Sequence, residues 1–328
     1  MNTLVNELRA NNYIREKAFG NISSFNFTRE AFLDSVWTEQ TMVARGLYVN
    51  TMTDKIVARG FNKFFNIGER PETTLEALKN TLQFPVVAYV KENGYLGLVS
   101  YNEETDDLFI TTKSNPEGEY AAWLRDALVR TVSEDALNTL KTFCKNNNVT
   151  LVFENVDMDN DPHIIEYDGN KLFLLSIIKN DLTFSQYPYE KVCKLGTKLG
   201  LKVKEKAYTL TSYDNFIAWF NEVTSEGWMY NNRHIEGFVI EDANGYMTKV
   251  KLFYYTFWKR MRGVLNAVMA HGVFKYEEKL TTPIAKDFYE FCKKVYNNSS
   301  EDTRATMPKD IITFRNAYFD YIHSPKYI

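Results

Sequence analysis

The sequence predicts an α+β protein: a mainly antiparallel sheet domain over residues 1–254, followed by a small all-helical domain over residues 255–328. Three observations carry this. Short apolar segments with alternating side chains recur between about residues 43 and 252, several of them paired around tight-turn sequences. Beyond Tyr254 the spacing turns helical and stays so to the end. The 328 residues, 45% hydrophobic and 15% aromatic, suffice for one large core or a large domain with a small one.

The first forty residues are expected to be helical, with Thr28-Arg29-Glu30-Ala31 as a capped start. Strands at Val43–Val49 and Lys55–Arg59 then flank Asn50–Asp54 as a hairpin. A short helix follows Pro71, where Leu75, Leu78 and Leu82 recur at helical spacing. Three successive strands fill Val86–Thr112, and two helices follow, Glu119 to about Val132 and Ser133 to about Asn146. Strands return at Thr150–Val156, His163–Tyr167 and Lys171–Ile178, the last two joined by an Asp168-Gly169 turn. A lysine-rich helix at Tyr189–Leu199 stops at Gly200, a strand covers Leu201–Thr209, and a helix begins at Asp214. Strands at Ile235–Glu241 and Tyr246–Leu252 close a hairpin around Ala243-Asn-Gly245; Pro283 and Pro308 break the helical tail.

No apolar run is long enough for a membrane span, and the N-terminus lacks the layout of a signal peptide, so a cytoplasmic protein, acting as a monomer, is expected. Cys144, Cys193 and Cys292 lie far apart and read as reduced thiols; the four histidines have no metal-site spacing. The formal charge of −3 excludes polyanion binding by a global positive field. Two local basic stretches remain, either solvated faces or nucleic-acid contacts. One holds Lys191, Lys194, Lys198, Lys202, Lys204 and Lys206; the other holds Lys259, Arg260 and Arg262 beside Phe257 and Trp258.

The chemistry concentrates in Lys91-Glu92-Asn93-Gly94, between the apolar strand Phe84–Val90 and the next, Tyr95–Tyr101. A lysine delivered by a strand and followed at once by glycine presents its amine to a phosphate without crowding. Lys249 and Lys251, alternate residues of one strand, point the same way. Beside Lys91 they would depress its pKa and neutralise a phosphate in the transition state. Glu154 and Glu236 are carboxylates in segments suited to burial, so each needs a partner: a strand-end salt bridge, a ribose hydroxyl or magnesium.

The ordered set Lys91-Glu-Asn-Gly94, Phe153-Glu154, Lys171–Ser176, Glu236-Gly237 and Lys249-Val-Lys251 resembles motifs I, III, IIIa, IV and V of the covalent nucleotidyltransferases. Ala44-Arg45-Gly46-Leu47-Tyr48 and Phe61-Asn62-Lys63-Phe64-Phe65-Asn66 narrow the resemblance to the phage-type RNA ligase 1 family and the ligase domain of fungal tRNA ligases. It runs from about Met42 to Tyr255. The resemblance implies Lys91 as the adenylated nucleophile and Arg45 and Lys63 as triphosphate contacts. Glu92, Gly94 and Lys113 would be further nucleotide-site residues, and Glu154 and Glu236 ribose or metal ligands. Lys249 and Lys251 would be phosphate contacts, Tyr255 a neighbouring tyrosine, and Phe173 the motif IIIa aromatic. Asn93 departs from the lysine-x-aspartate-glycine form and is closer to the fungal one.

The expected function is therefore that of an ATP- and Mg2+-dependent RNA ligase. Through lysyl-AMP and RNA-adenylate it would join 5′-phosphate and 3′-hydroxyl ends in RNA or tRNA repair, alone or beside an end-healing kinase and phosphatase. The alternatives are a DNA ligase or capping-type nucleotidyltransferase, which usually carry an oligonucleotide-binding barrel after motif V, and a non-catalytic RNA- or nucleotide-binding protein retaining the fold.

Overall fold

The computed structural model describes residues 3–307 and 310–323. Its N-terminal part runs α1 (Leu4–Arg9), β1 (Ile14–Phe19), β2 (Ile22–Phe27), α2 (Arg29–Leu33), α3 (Glu39–Val43), β3 (Leu47–Asn50) and β4 (Lys55–Arg59). The four strands form one antiparallel sheet in sequence order. Two expectations fail here. Residues 14–27 are a hairpin, not helix, turning through Gly20 at φ +61°. Residues 39–43 are helix, so the first strand of the predicted hairpin starts only at Leu47. Thr28 does cap a helix, accepting from Ala31 N, but that helix is five residues long.

The chain continues through α4 (Leu75–Thr81), β5 (Val86–Lys91), β6 (Tyr95–Asn102), β7 (Asp107–Thr112), α5 (Glu119–Thr131) and α6 (Glu134–Asn147). Then come β8 (Val149–Val156), β9 (Lys171–Lys179), α7 (Tyr189–Leu199), β10 (Lys202–Val203), β11 (Lys206–Leu210) and α8 (Tyr213–Val223). Ser133 caps α6, and Gly200 ends α7 in the left-handed conformation. The strand expected over 201–209 is divided: β10 joins the sheet β10-β9-β8-β6-β7, and β11 joins β11-β5-β12-β13, with β12 at Gly237–Glu241 and β13 at Met247–Lys251.

The strand expected at His163–Tyr167 is absent. β8 pairs directly with β9, Val156 opposite Lys171, and residues 157–170 loop away from the sheet. Gly169 is a positive-φ turn residue, but Ile164 and Ile165 are both buried, which no strand with one solvent face allows. They are buried because the loop docks on the helical tail.

That tail comprises α9 (Phe253–His271), α10 (Pro283–Asn298), α11 (Glu301–Thr306) and α12 (Ile311–Ile322). Pro283 starts α10 rather than breaking a helix; Pro308 lies outside the described residues. Trp258, Met261, Leu265, Phe288, Ile311 and Tyr318 build a core of their own, which also takes in Ile164 and Ile165. A second core lies between the five-stranded sheet and α5–α7, and a third under β5, β11, β12 and β13 with α8. Among the described residues no helix is long and apolar enough to cross a membrane.

Candidate nucleotidyl-transfer site

Lys91 is the last residue of β5, and Tyr95 is the first of β6, which belongs to a different sheet. Glu92-Asn93-Gly94 is thus the joint between two sheets. Across the ladder, Lys91 stands opposite Gly237 of β12, and Gly237 opposite Lys251 of β13. Gly237 is obligatory by space: a Cβ there would lie 1.9 Å from the Val250 carbonyl oxygen. Gly94 is equally confined, since its Cβ would lie 2.0 Å from the Asn155 carbonyl oxygen.

Over this bare position both lysines converge on one carboxylate. Lys91 Nζ is 3.1 Å from Glu236 Oε2, and Lys251 Nζ is 2.9 Å from Glu236 Oε1. Asn93 Nδ2 also donates to Oε2, at 2.8 Å. Glu236 is 3% exposed, yet the two ammonium groups hold its carboxyl below the usual range against the upward pull of burial. Glu154, on β8, accepts from Gly94 N at 2.9 Å. Burial raises its carboxyl, with Lys91 opposing and Glu236 reinforcing the rise.

The expectation that Lys249 and Lys251 depress the pKa of Lys91 holds in direction for Lys251 alone, and its pull is outweighed. Burial pulls the Lys91 amine down, but Glu236 and Glu154 outweigh it and hold it above its ordinary value. The depression falls on Lys249, brought to about 7 by burial and then by Lys63, Arg45, Lys91 and Lys251. Arg45 and Lys63 thus stand with the motif lysines. The segment Phe64–Ile67 runs along β13, with Lys249 N donating to Phe65 O at 3.1 Å and Ile67 N to Lys249 O at 2.8 Å. Lys249 Nζ meets Phe64 O at 3.2 Å, and Lys63 Nζ sits 3.7 Å from the Phe65 ring centroid and 3.6 Å from Glu69. Among the described residues, the shielded Nη1 of Arg45 has no hydrogen-bond partner.

Tyr255 stands by the same carboxylate, its hydroxyl 3.5 Å from Lys251 Nζ. Burial and then Glu236 raise its phenol. Two further predicted residues differ in place: Glu92 lines the cavity beside Lys91, and Lys113 does not. Glu92 accepts from the Tyr167 hydroxyl at 2.9 Å, and burial raises its carboxyl. Lys113 is exposed, with Arg45 and Arg15 as its charged neighbours.

Beside Lys91 a cavity opens with apolar walls from Phe64, Leu96, Leu175, Val239 and Met247, and polar groups from Arg45, Glu154 and Lys204. The register of β9 puts Leu175 here, while Phe173 lines a neighbouring groove with Lys171 and Lys202. The apolar lining and Lys204 are what the sequence reading missed. Lys204 is not part of a solvated patch: it is 8% exposed, 4.0 Å from the Tyr89 ring and 3.5 Å from Glu241. Its fellows Lys191, Lys194, Lys198, Lys202 and Lys206 are exposed. In the other basic stretch Trp258 is core, whereas Lys259 is exposed and feels Lys251, Glu236 and Arg262.

The side chains at this site have the chemistry an adenine nucleotide needs. The apolar walls suit a base, and among the described residues Lys249 and Arg45 form no ion pair, which suits them to phosphate. A protein-built metal cage does not fit: among the described residues no three His, Cys, Asp or Glu side chains gather, and both oxygens of Glu236 are engaged. Magnesium held mainly by nucleotide phosphates, with Glu154 as its one carboxylate, fits.

The profile of a family described as RNA ligase matches residues 43–259. Two curated relatives are tRNA ligase of Candida albicans and tRNA ligase 1 of Schizosaccharomyces pombe. The first is 26% identical over 305 residues, 80% of this chain and 36% of that protein. The second is 26% identical over 310 residues, 84% of this chain and 38% of that protein. The chain therefore spans less than two fifths of their length. Among solved structures, an archaeal ATP-dependent RNA ligase aligns with a TM-score of 0.53 at 13% identity, covering 98% of this chain and 75% of that one. A putative ATP-dependent DNA ligase from Aquifex aeolicus gives 0.51 at 13%, covering 98% and 76%. At these identities the likeness is one of fold.

Proposed function

The chain belongs to the phage-type RNA ligase family, and on that premise we propose that it joins RNA ends with ATP through a lysyl-AMP on Lys91. The observation that supports this most is the meeting of Lys91 and Lys251 on Glu236, with Lys249, Lys63 and Arg45 gathered beside them.

ATP would place its adenine between the apolar walls and its phosphates among Arg45, Lys63, Lys249 and Lys251. The Lys91 amine, which Glu236 and Glu154 hold charged in the free protein, must shed its proton before it attacks the α-phosphorus; the cations and phosphates gathered around it would release that proton, by way of Glu236 Oε2 at 3.1 Å, to solvent. The phosphorus–oxygen bond to pyrophosphate breaks as the phosphoramidate forms. An RNA 5′-phosphate then takes the AMP from Lys91, and a 3′-hydroxyl displaces AMP to seal the strand. Magnesium on the phosphates, with Glu154, would supply charge neutralisation. Lys249 and Lys251 would stabilise the developing negative charge and hold the α-phosphate in line. Glu92, Gly94, Lys113 and Tyr255 complete the proposed site: the joint, the rim and the wall beside Lys251.

In this reading residues 1–254 form the catalytic domain and residues 255–328 a helical domain. The protein would act in the cytoplasm as a monomer on ends with 5′-phosphate and 3′-hydroxyl groups, alone or beside an end-healing kinase and phosphatase. Incubation with α-labelled ATP should leave covalent label, and Lys91→Ala should abolish it. Label persisting on the alanine variant overturns the assignment.

A further inference from the structure

Asn93 occupies the place where the related motif carries aspartate, and its surroundings explain why. Its Oδ1 accepts two backbone hydrogen bonds, from Ile164 N at 2.9 Å and Ile165 N at 3.0 Å. Its Nδ2 donates to Glu236 Oε2 at 2.8 Å. Its own N–H donates to the Tyr167 hydroxyl at 2.8 Å. The residue is 4% exposed, so none of these bonds is exchangeable with solvent at little cost. One end must accept and the other must donate, which a carboxamide does and a carboxylate does not. The network also fixes the amide's orientation, because flipping it would face oxygen to Glu236 and NH2 to two N–H groups.

The two amides that hold Asn93 belong to the loop docked on the helical tail. Ile164 and Ile165 are buried in the same core as Trp258, Leu265 and Phe288. Arg315 of α12, 2% exposed, donates to Ile164 O at 2.8 Å and pairs with Glu166 at 3.3 Å. A continuous hydrogen-bonded path thus runs from Arg315 through residues 164–165 to Asn93, then to Glu236 and both lysines.

We propose that Asn93 is a positioning residue for lysine adenylation, fixing Glu236 and through it Lys91 and Lys251, and that the helical tail acts on that step through Arg315 and the 164–167 loop. The tail then serves the first chemical step and not RNA contact alone. This rests on the ligase reading above, and the test separates the two.

The assay is single-turnover formation of lysyl-AMP from α-labelled ATP by the full chain, with melting curves to establish that each variant folds. Asn93→Asp, isosteric but setting a carboxylate against Glu236, should slow labelling by about a hundredfold, the scale of a misplaced reacting group. Arg315→Met should slow it about tenfold with the ATP KM held within about twofold, because the loop and not the nucleotide pocket is disturbed. Arg315→Lys, which keeps one donor for Ile164 O, should lie between Arg315→Met and the wild type and stands in if the methionine variant fails to fold. The double variant Asn93→Ala/Arg315→Met should be no slower than Asn93→Ala, since both interrupt one path. Multiplicative losses in the double variant, or Asn93→Asp labelling within twofold of wild type, overturn the proposal. Absence of label on the wild-type chain, or label surviving Lys91→Ala, overturns the ligase reading instead.

Discussion

Lys249 carries the sharpest quantitative prediction. Burial and four neighbouring cations bring its pKa from 10.5 to about 7 in the folded protein. Below pH 7 the lysine is charged in both states and the whole penalty of that environment opposes folding. Between pH 7 and 10.5 the unfolded chain holds a proton that the folded chain has released, so stability rises with pH; above 10.5 the penalty is gone. At about 1.4 kcal/mol per tenfold change in acidity, the limit is roughly 5 kcal/mol, and solvent access and the lost bond to Phe64 O bring the usable part to about 2–3 kcal/mol. Lys249→Met should therefore be more stable than wild type by about that amount at pH 6.5, with the difference shrinking to under about 1 kcal/mol by pH 9.5. Urea unfolding at the two pH values, with ATP-dependent labelling in parallel, measures both sides, and labelling should be lost. A variant less stable than wild type at pH 6.5, or a gain independent of pH, refutes the reasoning.

Three further outcomes follow from packing. Gly94→Ala should reduce adenylation by at least about a hundredfold, because a methyl group 2.0 Å from the Asn155 carbonyl must displace the nucleophile's turn; labelling within twofold of wild type would refute this. Gly263→Ala, in mid-helix with nothing within 4 Å of the added carbon, should instead stabilise by about 0.5–1 kcal/mol in a denaturant titration. Trp258→Ala should cost about 3–5 kcal/mol, since the ring is 2% exposed and packs edge-on against Phe288 at 5.3 Å and Phe319 at 5.6 Å. Calorimetry of the full chain would register it as a lowered unfolding temperature.

What the sequence disclosed, it disclosed through local pattern. Val86–Thr112 read correctly because its alternation and turn residues are contiguous, and α7 read correctly because Gly200 ends it in a conformation that favours glycine. Ile14–Phe19 misled because its charged residues suit a helix as well as an edge strand; pairing with Ile22–Phe27 decided the matter. Asp168-Gly169 carries a turn signal that is real, yet the strand before it was lost to long-range docking of Ile164 and Ile165. In the site, the residues of each short motif were legible and their mutual balance was not. Nothing local reveals that Glu236 would offset the cations around Lys91 and leave Lys249 to bear the crowding. The contacts of Asn93 reach 71, 72 and 143 positions along the chain, beyond any window of sequence pattern.

The placing of Lys91, Gly237 and Lys251 in a row across β5, β12 and β13 has a consequence for error control. A slip of one residue between two of these strands would send a lysine to the opposite face and lift a side chain into the gap that the glycine keeps clear. A mispaired molecule would therefore lose the proposed reaction outright and not perform a slower version of it. On the proposed function, chains that take up adenylate would be chains whose sheet has closed in register.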